Sequence, residues 1–265
     1  PESVAVVVEA MEAEGVMFVE GKATKVAPGA LGSFTLTLEG GQEIAGTDLL
    51  IAVGRKARVA GYGLEEIGVE LGRNGIAVDE RRRTSLKHIY AIGDCREGPR
   101  LTHVSGYEGS NVALEITLGL KTKVDWSALP WCTYTDPEVA QIGLTEAQAR
   151  EQHGDKITIL REGFDHNERA IAEGDTKGHL KVVMKGRRVL GASIVGKNAG
   201  ELLLPFTQLI TGKASTFALG SAIVAYPTRS EITKAAAFSA WEGTVFGSVP
   251  KGYAKTRAWF RKTLS

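Results

Sequence analysis

A short apolar segment that ends in glycine and aspartate, with a helix soon after it, most restricts the fold of this chain. Residues 89–92 predict a strand, and Gly93 ends it because glycine adopts backbone angles that side chains disfavour. Asp94 therefore stands at the carboxyl-terminal edge of a sheet, close to a helix that we expect to open at residues 101–103. The free N–H groups and the dipole of a helix start favour negative charge, whereas a carboxylate accepts hydrogen bonds from hydroxyl groups. The pattern indicates either a site for a polar, partly anionic ligand or an aspartate that only caps a turn.

Hydrophobic periodicity upstream of this unit predicts a mixture of helix and strand. Helical spacing covers residues 4–16, a short strand is expected at 16–19, and the alternation at 34–38 predicts a strand that returns after a Gly-Gly turn. The continuous apolar run 48–53, which ends at Gly54, is typical of a central parallel strand. A short helix at 64–67, a strand at 75–79 and a solvated basic loop at Arg81–Arg83 complete this part.

A domain boundary is expected near residues 125–130, and the remaining chain predicts a sheet covered by helices. Strand patterns occupy 156–161, 179–185 and 189–195, and Thr145 is expected to cap a helix. Apolar helices are predicted at 199–212 and about 228–241. This layer of sheet and helices leaves one apolar face for a partner.

Composition excludes several functional classes. A net charge of +1 gives no concentrated basic face for nucleic acid, and no apolar run approaches the ~20 residues that span a bilayer. Cys95 and Cys132 form no closely spaced pair and indicate a reducing, cytoplasmic compartment. We expect no signal peptide. The chain opens at Pro1 rather than methionine, so we expect it to be a piece of a longer protein.

The segments IYAIGDC and GPRLTHVSGYEGSNVA together resemble the second flavin-binding motif of the FAD-dependent pyridine nucleotide–disulfide oxidoreductases. This family includes dihydrolipoamide dehydrogenase and mercuric reductase. The resemblance implies that Asp94 binds the ribityl chain of FAD. It also implies that the helix start (Arg100, Leu101, Thr102 and His103) faces the pyrimidine side of the isoalloxazine. A metal site at His103 is not expected, because no second ligand lies at a useful spacing.

The resemblance extends over nearly the whole chain and implies three domain segments. Residues 1–57 match the second half of a NAD(P)-binding domain, 58–128 the returning part of a FAD-binding domain, and 129–265 a dimerisation domain with a basic tail. The fold class is therefore α/β plus α+β: partial Rossmann-like nicotinamide and flavin segments, then an α+β dimerisation domain. Gly54 would border the nicotinamide cofactor or simply end a strand, and Arg55 would form a salt bridge between domains rather than bind the cofactor.

The chain departs from the family in its motif His-x-His-Pro-Thr-x-x-Glu. Val224 and Tyr226 occupy the two histidine positions, whereas the proline, the threonine and Glu231 remain. In disulfide reductases the second histidine is the acid/base at the partner subunit's flavin, and a tyrosine is a poor base at neutral pH. The resemblance implies a cis bond before Pro227, with Tyr226 as a hydrogen-bond donor or gate and Glu231 one turn into the next helix.

Two functions follow as hypotheses. The first is the carboxyl-terminal part of a homodimeric oxidoreductase that passes hydride from NAD(P)H through FAD to a disulfide or a metal ion. The second is a dimerisation or interaction module without redox activity of its own, because no GxGxxG phosphate loop and no redox-active cysteine pair occur in the sequence. The tail, with Trp259 and Phe260 among basic residues, is either a solvated or partner-packing helix or one that contacts a membrane surface.

Overall fold

The structure is a computed structural model that describes residues 1–263, without the side chains of residues 31 and 260–263. The chain divides into two compact units. One unit consists of residues 16–124, and the other combines residues 1–15 with the chain from residue 125 onward. The helices are α1 (Glu2–Ala13), α2 (Thr102–Leu118), α3 (Glu146–His153), α4 (Glu168–Glu173), α5 (Leu204–Ile210), α6 (Thr216–Gly220), α7 (Glu231–Val245) and α8 (Ser248–Thr263). The strands are β1 (Ala23–Pro28), β2 (Phe34–Leu38), β3 (Glu43–Gly46), β4 (Leu71–Gly72), β5 (Gly75–Ile76), β6 (Pro130–Thr133), β7 (Glu138–Gly143), β8 (Thr158–Gly163), β9 (His179–Lys185) and β10 (Arg188–Gly196).

The unit that begins at residue 125 is built on a five-stranded antiparallel sheet in the order β6-β7-β10-β9-β8. The register places Ala192 of β10 between Ile142 of β7 and Val182 of β9, and all three side chains are buried. Helices α5 and α7 add Phe206 and Ile232 to the same core. The strands predicted in this part are confirmed, as is the Thr145 cap, which forms a reciprocal capping box with Gln148.

Helix α1 belongs to the same unit and packs on β7 and β10. Glu2 forms ion pairs with Arg161 and, at 3.4 Å, with Lys181. At the other end of the helix, Glu9 accepts from Lys177 at 2.7 Å. These pairs tie the amino-terminal helix to β8, to β9 and to the loop before β9.

The unit formed by residues 16–124 contains the three-stranded antiparallel sheet β1-β2-β3, the small pair β4-β5 and helix α2. The predicted hairpin is confirmed, since β2 and β3 pair across the Gly40-Gly41 turn. A second core cluster contains Val69, Ile76 and Ala91. This cluster lies beneath the loop that carries Asp94.

Several predicted elements of this unit are not formed. Residues 48–53 adopt no strand, and Leu50, Ile51 and Val53 are 90%, 71% and 91% exposed. Residues 16–19 are also irregular, and 89–92 contribute only an isolated bridge between Tyr90 and Arg83. The physical reason is that a strand needs a hydrogen-bonded neighbour, and the described residues offer these segments no ladder.

Two other expectations need smaller corrections. Residues 64–67 form turns rather than a helix, and the strand at 75–79 shortens to β5. The apolar helix predicted at 199–212 divides into a short 3-10 turn and α5, because Pro205 has no amide hydrogen and is tolerated only in a first turn. Of the predicted tail, the side chain of Phe260 lies outside the described residues.

Candidate functional site

The loop that carries Asp94 is shaped by a glycine for two separate reasons. Ile92 is extended, and residues Gly93–Cys95 then form one 3-10 turn. Gly93 has φ +66°, which residues with side chains rarely adopt. A Cβ at this position would also lie 2.4 Å from the Ser105 hydroxyl oxygen on α2. The glycine therefore allows the loop to approach the first turns of α2 while Asp94 turns outward.

Asp94 and Arg55 form an ion pair, with 2.5 Å between Arg55 Nη2 and Asp94 Oδ2. The salt bridge expected for Arg55 forms, but both residues belong to the compact unit 16–124, so the pair does not show a crossing between domains. The Asp94 side chain is 40% exposed, so water and ligands still reach the carboxylate. A cavity of about 240 Å³ opens beside the pair, lined by Arg55, Lys56, Ala57, Arg58, Asp94, Cys95 and Arg100. Its charged lining consists of four cations around one carboxylate.

Arg100 connects the cavity to two neighbouring loops. Its guanidinium donates to the carbonyl oxygens of Arg55 and Asn74, both at 2.5 Å. The Arg100 Nε atom is buried and has no hydrogen-bond partner in the structure. The two terminal nitrogens of the Arg100 guanidinium are therefore held by these carbonyl oxygens, while the Nε–H group has no acceptor among the residues that the structure describes.

The other predicted cofactor residues lie near this cavity in sequence but do not line it. Leu101 is the N-cap of α2, and Thr102 and His103 form its exposed first turn, as the sequence predicts. Gly54 has φ +118°, and no heavy atom lies within 4 Å of a Cβ built on it. The positive φ at position 54 thus favours glycine. The open space beside this glycine would also allow a ligand to approach the backbone closely.

A buried ion network holds this loop, and sequence reasoning missed it. Glu108 of α2 is fully buried, accepts the Gly93 N–H at 2.8 Å and pairs with Arg96. Arg82 Nη1 lies 3.3 Å from the same carboxylate. Because Glu108 anchors the backbone amide next to Asp94, it fixes where the Asp94 carboxylate is presented.

The prediction that Arg81–Arg83 form a solvated loop is wrong. Arg82 is only 6% exposed, and Arg81 pairs with the buried Glu115 near the end of α2. The sequence did hold a signal for this network. Val104, Glu108 and Glu115 fall on one face of α2, and acidic residues on the same face as an apolar one imply basic partners nearby.

A second candidate site lies in the other unit, in a cavity of about 550 Å³. Its lining includes Tyr226, Glu231, Glu168, His166, Lys234 and Phe238. The Tyr226-Pro227 bond is cis, as expected, and Tyr226 is 69% exposed rather than packed in a core. A hydrogen bond to the Glu168 carboxylate raises the pKa of the Tyr226 hydroxyl, and the nearby charges of Glu168 and Glu231 add to this effect. Tyr226 is therefore a neutral hydrogen-bond donor at neutral pH.

Glu231 occupies the first position of α7 rather than one turn into it. Its carboxylate accepts the Thr228 N–H at 3.2 Å and so closes the turn after the cis bond. The structure brings Tyr226 and Glu231 to one cavity, but the direct partner of the tyrosine is Glu168, which sequence reasoning missed.

The loop that carries Tyr226 is fastened to α4 by two buried polar side chains. Asn167 caps α4 through the Ala170 N–H and donates to the Thr228 carbonyl, both at 3.1 Å. Arg229 donates to Glu173 at 2.8 Å and to Asp175 at 2.9 Å, and its guanidinium carbon lies 5.5 Å from the centre of the Phe164 ring. The Asn before an acidic helical segment was a recognisable N-cap signal.

Neither cysteine offers a reactive thiolate pair. Cys95 and Cys132 are free thiols, and burial raises the pKa of Cys132 to about 11, with a further contribution from Glu138. Among the side chains that the structure describes, no group of three or more His, Cys, Asp or Glu residues could hold a metal ion. Of residues 1–263, none belongs to a helix with the length and hydropathy needed to cross a bilayer.

Two family models match the chain. Residues 1–109 match the pyridine nucleotide-disulphide oxidoreductase model, and residues 129–237 match the dimerisation domain of the same family. Together the two matches cover most of the chain in the family's order.

Curated relatives agree with these matches. The chain is 35% identical over 207 residues to a dihydrolipoyl dehydrogenase of Bacillus subtilis, an alignment covering 77% of this chain and 44% of the relative. It is also 35% identical over 209 residues to a mercuric reductase of Lysinibacillus sphaericus, covering 77% and 38% respectively. The chain thus spans half or less of the length of these relatives.

Solved structures share the fold. LpdA from Mycobacterium tuberculosis superposes with a TM-score of 0.82 at 26% identity, covering 89% of this chain and 52% of that one. The HOCl-induced flavoprotein disulfide reductase RclA from Escherichia coli gives a TM-score of 0.82 at 23% identity, covering 90% and 55%. These superpositions confirm the predicted fold class. From the two family models, the relatives and the shared fold, the chain belongs to the pyridine nucleotide-disulphide oxidoreductase family.

Proposed function

We propose that the chain is the carboxyl-terminal part of an oxidoreductase that passes hydride from NAD(P)H through FAD to a disulfide or a metal ion. The observation that carries the proposal is the cavity beside Asp94, which is lined by one carboxylate and four cations, the last of them, Arg100, directly before the N-cap of α2. The similarity to a dihydrolipoyl dehydrogenase and a mercuric reductase supports the same reaction class. Residues 1–57, 58–128 and 129–265 are proposed as the nicotinamide, flavin and dimerisation segments.

The residues present fit part of a flavin dinucleotide. Asp94 offers an acceptor for hydroxyl groups, and the buried Arg100 Nε is a donor with no hydrogen-bond partner in the structure. Ligand pockets usually measure about 300–1,000 Å³, so the smaller cavity here suits one portion of the cofactor. FAD, when bound, would supply two-electron transfer between nicotinamide and acceptor.

The chain's own residues would bind and orient this group. Asp94 would exchange at least part of its contact with Arg55 for ligand hydroxyls, while Arg100 would stay fixed by its two carbonyl acceptors. The amides at Leu101, Thr102 and His103 would stabilise negative charge at the start of α2. Gly54 is proposed to border the nicotinamide cofactor, because a side chain there would fill otherwise open space.

At the substrate end we propose Tyr226 as a hydrogen-bond donor or gate rather than a base. Its raised pKa keeps the hydroxyl protonated, and its hydrogen bond to Glu168 would orient it. Glu231 is proposed to hold the turn through Thr228. Such a site suits an electron acceptor from which no proton has to be removed. A bound metal ion is one example.

The first test measures FAD retention by the whole protein carrying Asp94→Ala. We expect affinity to fall several-fold to a hundred-fold, because the change removes a charge-assisted acceptor of about 1.5–3 kcal/mol. The measurement is flavin absorbance after dialysis at several FAD concentrations. Asp155→Ala, an exposed aspartate in the other unit, is the matched control and should retain FAD normally.

Unchanged retention in the Asp94 variant would make Asp94 a turn residue only. If the whole protein binds no flavin at all, the alternative of a dimerisation module without redox activity would stand. The 265-residue chain by itself is expected to bind FAD weakly or not at all, because its sequence contains no phosphate loop.

We also propose a homodimer formed through residues 129–265, in line with the matched dimerisation domain. Apolar side chains such as Leu204 and Phe217 are exposed on this unit. The unit therefore has more apolar surface than its own sheet covers. An isologous two-fold interface above ~2,000 Å² is expected. Sedimentation at micromolar concentration should give a dimer, and a monomer there would contradict the proposal.

A further inference from the structure

Helix α8 carries charge of one sign only. Its charged residues are all basic: Lys251, Lys255, Arg257, Arg261 and Lys262. Because the whole chain has a net charge of only +1, the rest of the chain is net negative. The match to the dimerisation domain ends at residue 237, so α8 lies beyond the matched family region. Positive charge is therefore concentrated on an element that the family model does not account for.

The helical period separates apolar from basic positions along α8. At about 100° per residue, Val249 and Tyr253 share one side, and Trp259 lies at the border of that side. Lys251 and Lys255, one turn apart, lie on the opposite side of the helix, and Arg257 lies at the edge of the apolar side. This arrangement, with aromatic residues on the apolar side and basic residues on the polar side, is typical of helices that lie in a membrane interface.

The apolar side of α8 faces solvent. Val249 is 81% exposed, Tyr253 69% and Trp259 61%. Pro250 does not disrupt the helix, because proline is tolerated in a first turn. The helix thus presents a narrow exposed apolar strip, with one basic residue at its edge and others on the opposite side.

We propose that α8 docks this protein on an anionic phospholipid surface, with Val249, Tyr253 and Trp259 in the interface and Lys251, Lys255 and Arg257 at the headgroups. Charge complementarity selects this partner, since each basic residue near such a surface adds attraction. Tyrosine and tryptophan are enriched at the level of the headgroups. The contact is peripheral, since no described helix can cross the bilayer.

Two other occupants fit the helix less well. A second copy of α8 would place like charges together, which is unfavourable. A groove in a partner protein would read apolar anchors at successive turns, whereas the positions one turn before and after Tyr253 are Val249 and Arg257, with Thr256 beside it. The turn directly after Tyr253 therefore offers no apolar anchor.

The test is co-sedimentation of the full 265-residue chain with vesicles. We expect binding to vesicles of phosphatidylcholine mixed with phosphatidylglycerol, weak binding to phosphatidylcholine alone, and loss of binding at high salt. Changing Lys251, Lys255 and Arg257 together to Gln should weaken binding about 100-fold, at roughly fivefold per charge near the surface. Tyr253→Ser should also weaken it, and tryptophan fluorescence should shift to the blue only with anionic vesicles.

A matched control changes Lys25, Lys121 and Lys185 to Gln, which removes the same charge from exposed positions outside α8. This variant should bind vesicles like the unchanged chain, and circular dichroism should show that both triple variants are folded. Equal binding of the two triple variants would overturn the proposal, as would equal binding to neutral and anionic vesicles. The proposal would also be overturned if the chain self-associates without lipid and only the α8 variant prevents it, because α8 would then be a contact between copies.

Discussion

Replacing Glu108 by alanine is expected to lower the free energy of unfolding of the unit 16–124 by about 3–5 kcal/mol. The carboxylate is fully buried between the guanidinium groups of Arg82 and Arg96, and it also accepts the Gly93 amide. Removing it leaves two buried cations facing each other and one backbone donor without its acceptor. Chemical denaturation would measure the loss of stability. Hydrogen exchange at the Gly93 amide would measure the loss of its acceptor.

The matched control for this change is Glu80→Ala. Glu80 pairs with Lys123 at 2.6 Å, but the two side chains are 59% and 67% exposed. Such a surface pair contributes no more than about 1 kcal/mol. If Glu108→Ala were as mild as Glu80→Ala, the buried network would not be what fixes the Asp94 loop.

Replacing Arg229 by methionine is expected to destabilise the unit that carries Tyr226 by about 3 kcal/mol. Arg229 is 7% exposed and makes two charge-assisted hydrogen bonds, to Glu173 and Asp175, and each such bond contributes about 1.5 kcal/mol or more. Methionine keeps most of the packing against Phe164. The loss of stability therefore comes mainly from the lost charge and its two hydrogen bonds. Thermal and chemical unfolding would measure it.

The same variant should change how stability depends on pH. The Arg229 hydrogen bond, followed by that of Arg169, lowers the pKa of Glu173 from 4.5 to about 2. A carboxyl whose pKa is depressed on folding stabilises the protein above pH 4.5, and that stabilisation is lost as the pH falls towards 2. The Arg229→Met variant should therefore lose less additional stability over this acidic range than the unchanged chain.

Arg169→Met is the matched control because it removes a partner of the same carboxylate. Arg169 is 50% exposed and lies one helical turn from Glu173, so its removal should cost less than about 1 kcal/mol. An equal effect of the two substitutions would contradict the role of Arg229 as the buried anchor of the Tyr226 loop.

The sequence predicted strands of the carboxyl-terminal unit well where two strands that pair follow each other closely in the chain. Strands β9 and β10, for example, are rich in apolar residues and are joined by a two-residue turn. The run 48–53 misled the prediction for the opposite reason. Its apolar composition matches a central parallel strand, but composition does not state whether neighbouring strands are present.

The candidate site was predictable where it rests on backbone chemistry and less so where it rests on ion pairing. Gly93, Asp94 and the start of α2 follow from glycine conformation and helix termini. Glu108 and Glu168 were missed because a single charged residue does not reveal its distant partner. Their roles depend on contacts with segments 12 or more residues away, such as Arg96 and Tyr226.

The exposed run 48–53 has a consequence for handling the isolated chain. Leu49, Leu50, Ile51, Ala52 and Val53 are five consecutive apolar residues without charge or proline, and all are exposed. Segments with this composition readily pair edge to edge with the same segment of another molecule and can nucleate cross-β aggregates. A charged gatekeeper such as Leu50→Lys would interrupt that pairing without touching the sheet of the other unit. Sedimentation of the Leu50→Lys chain would then measure dimerisation through the folded interface, without a contribution from cross-β aggregation.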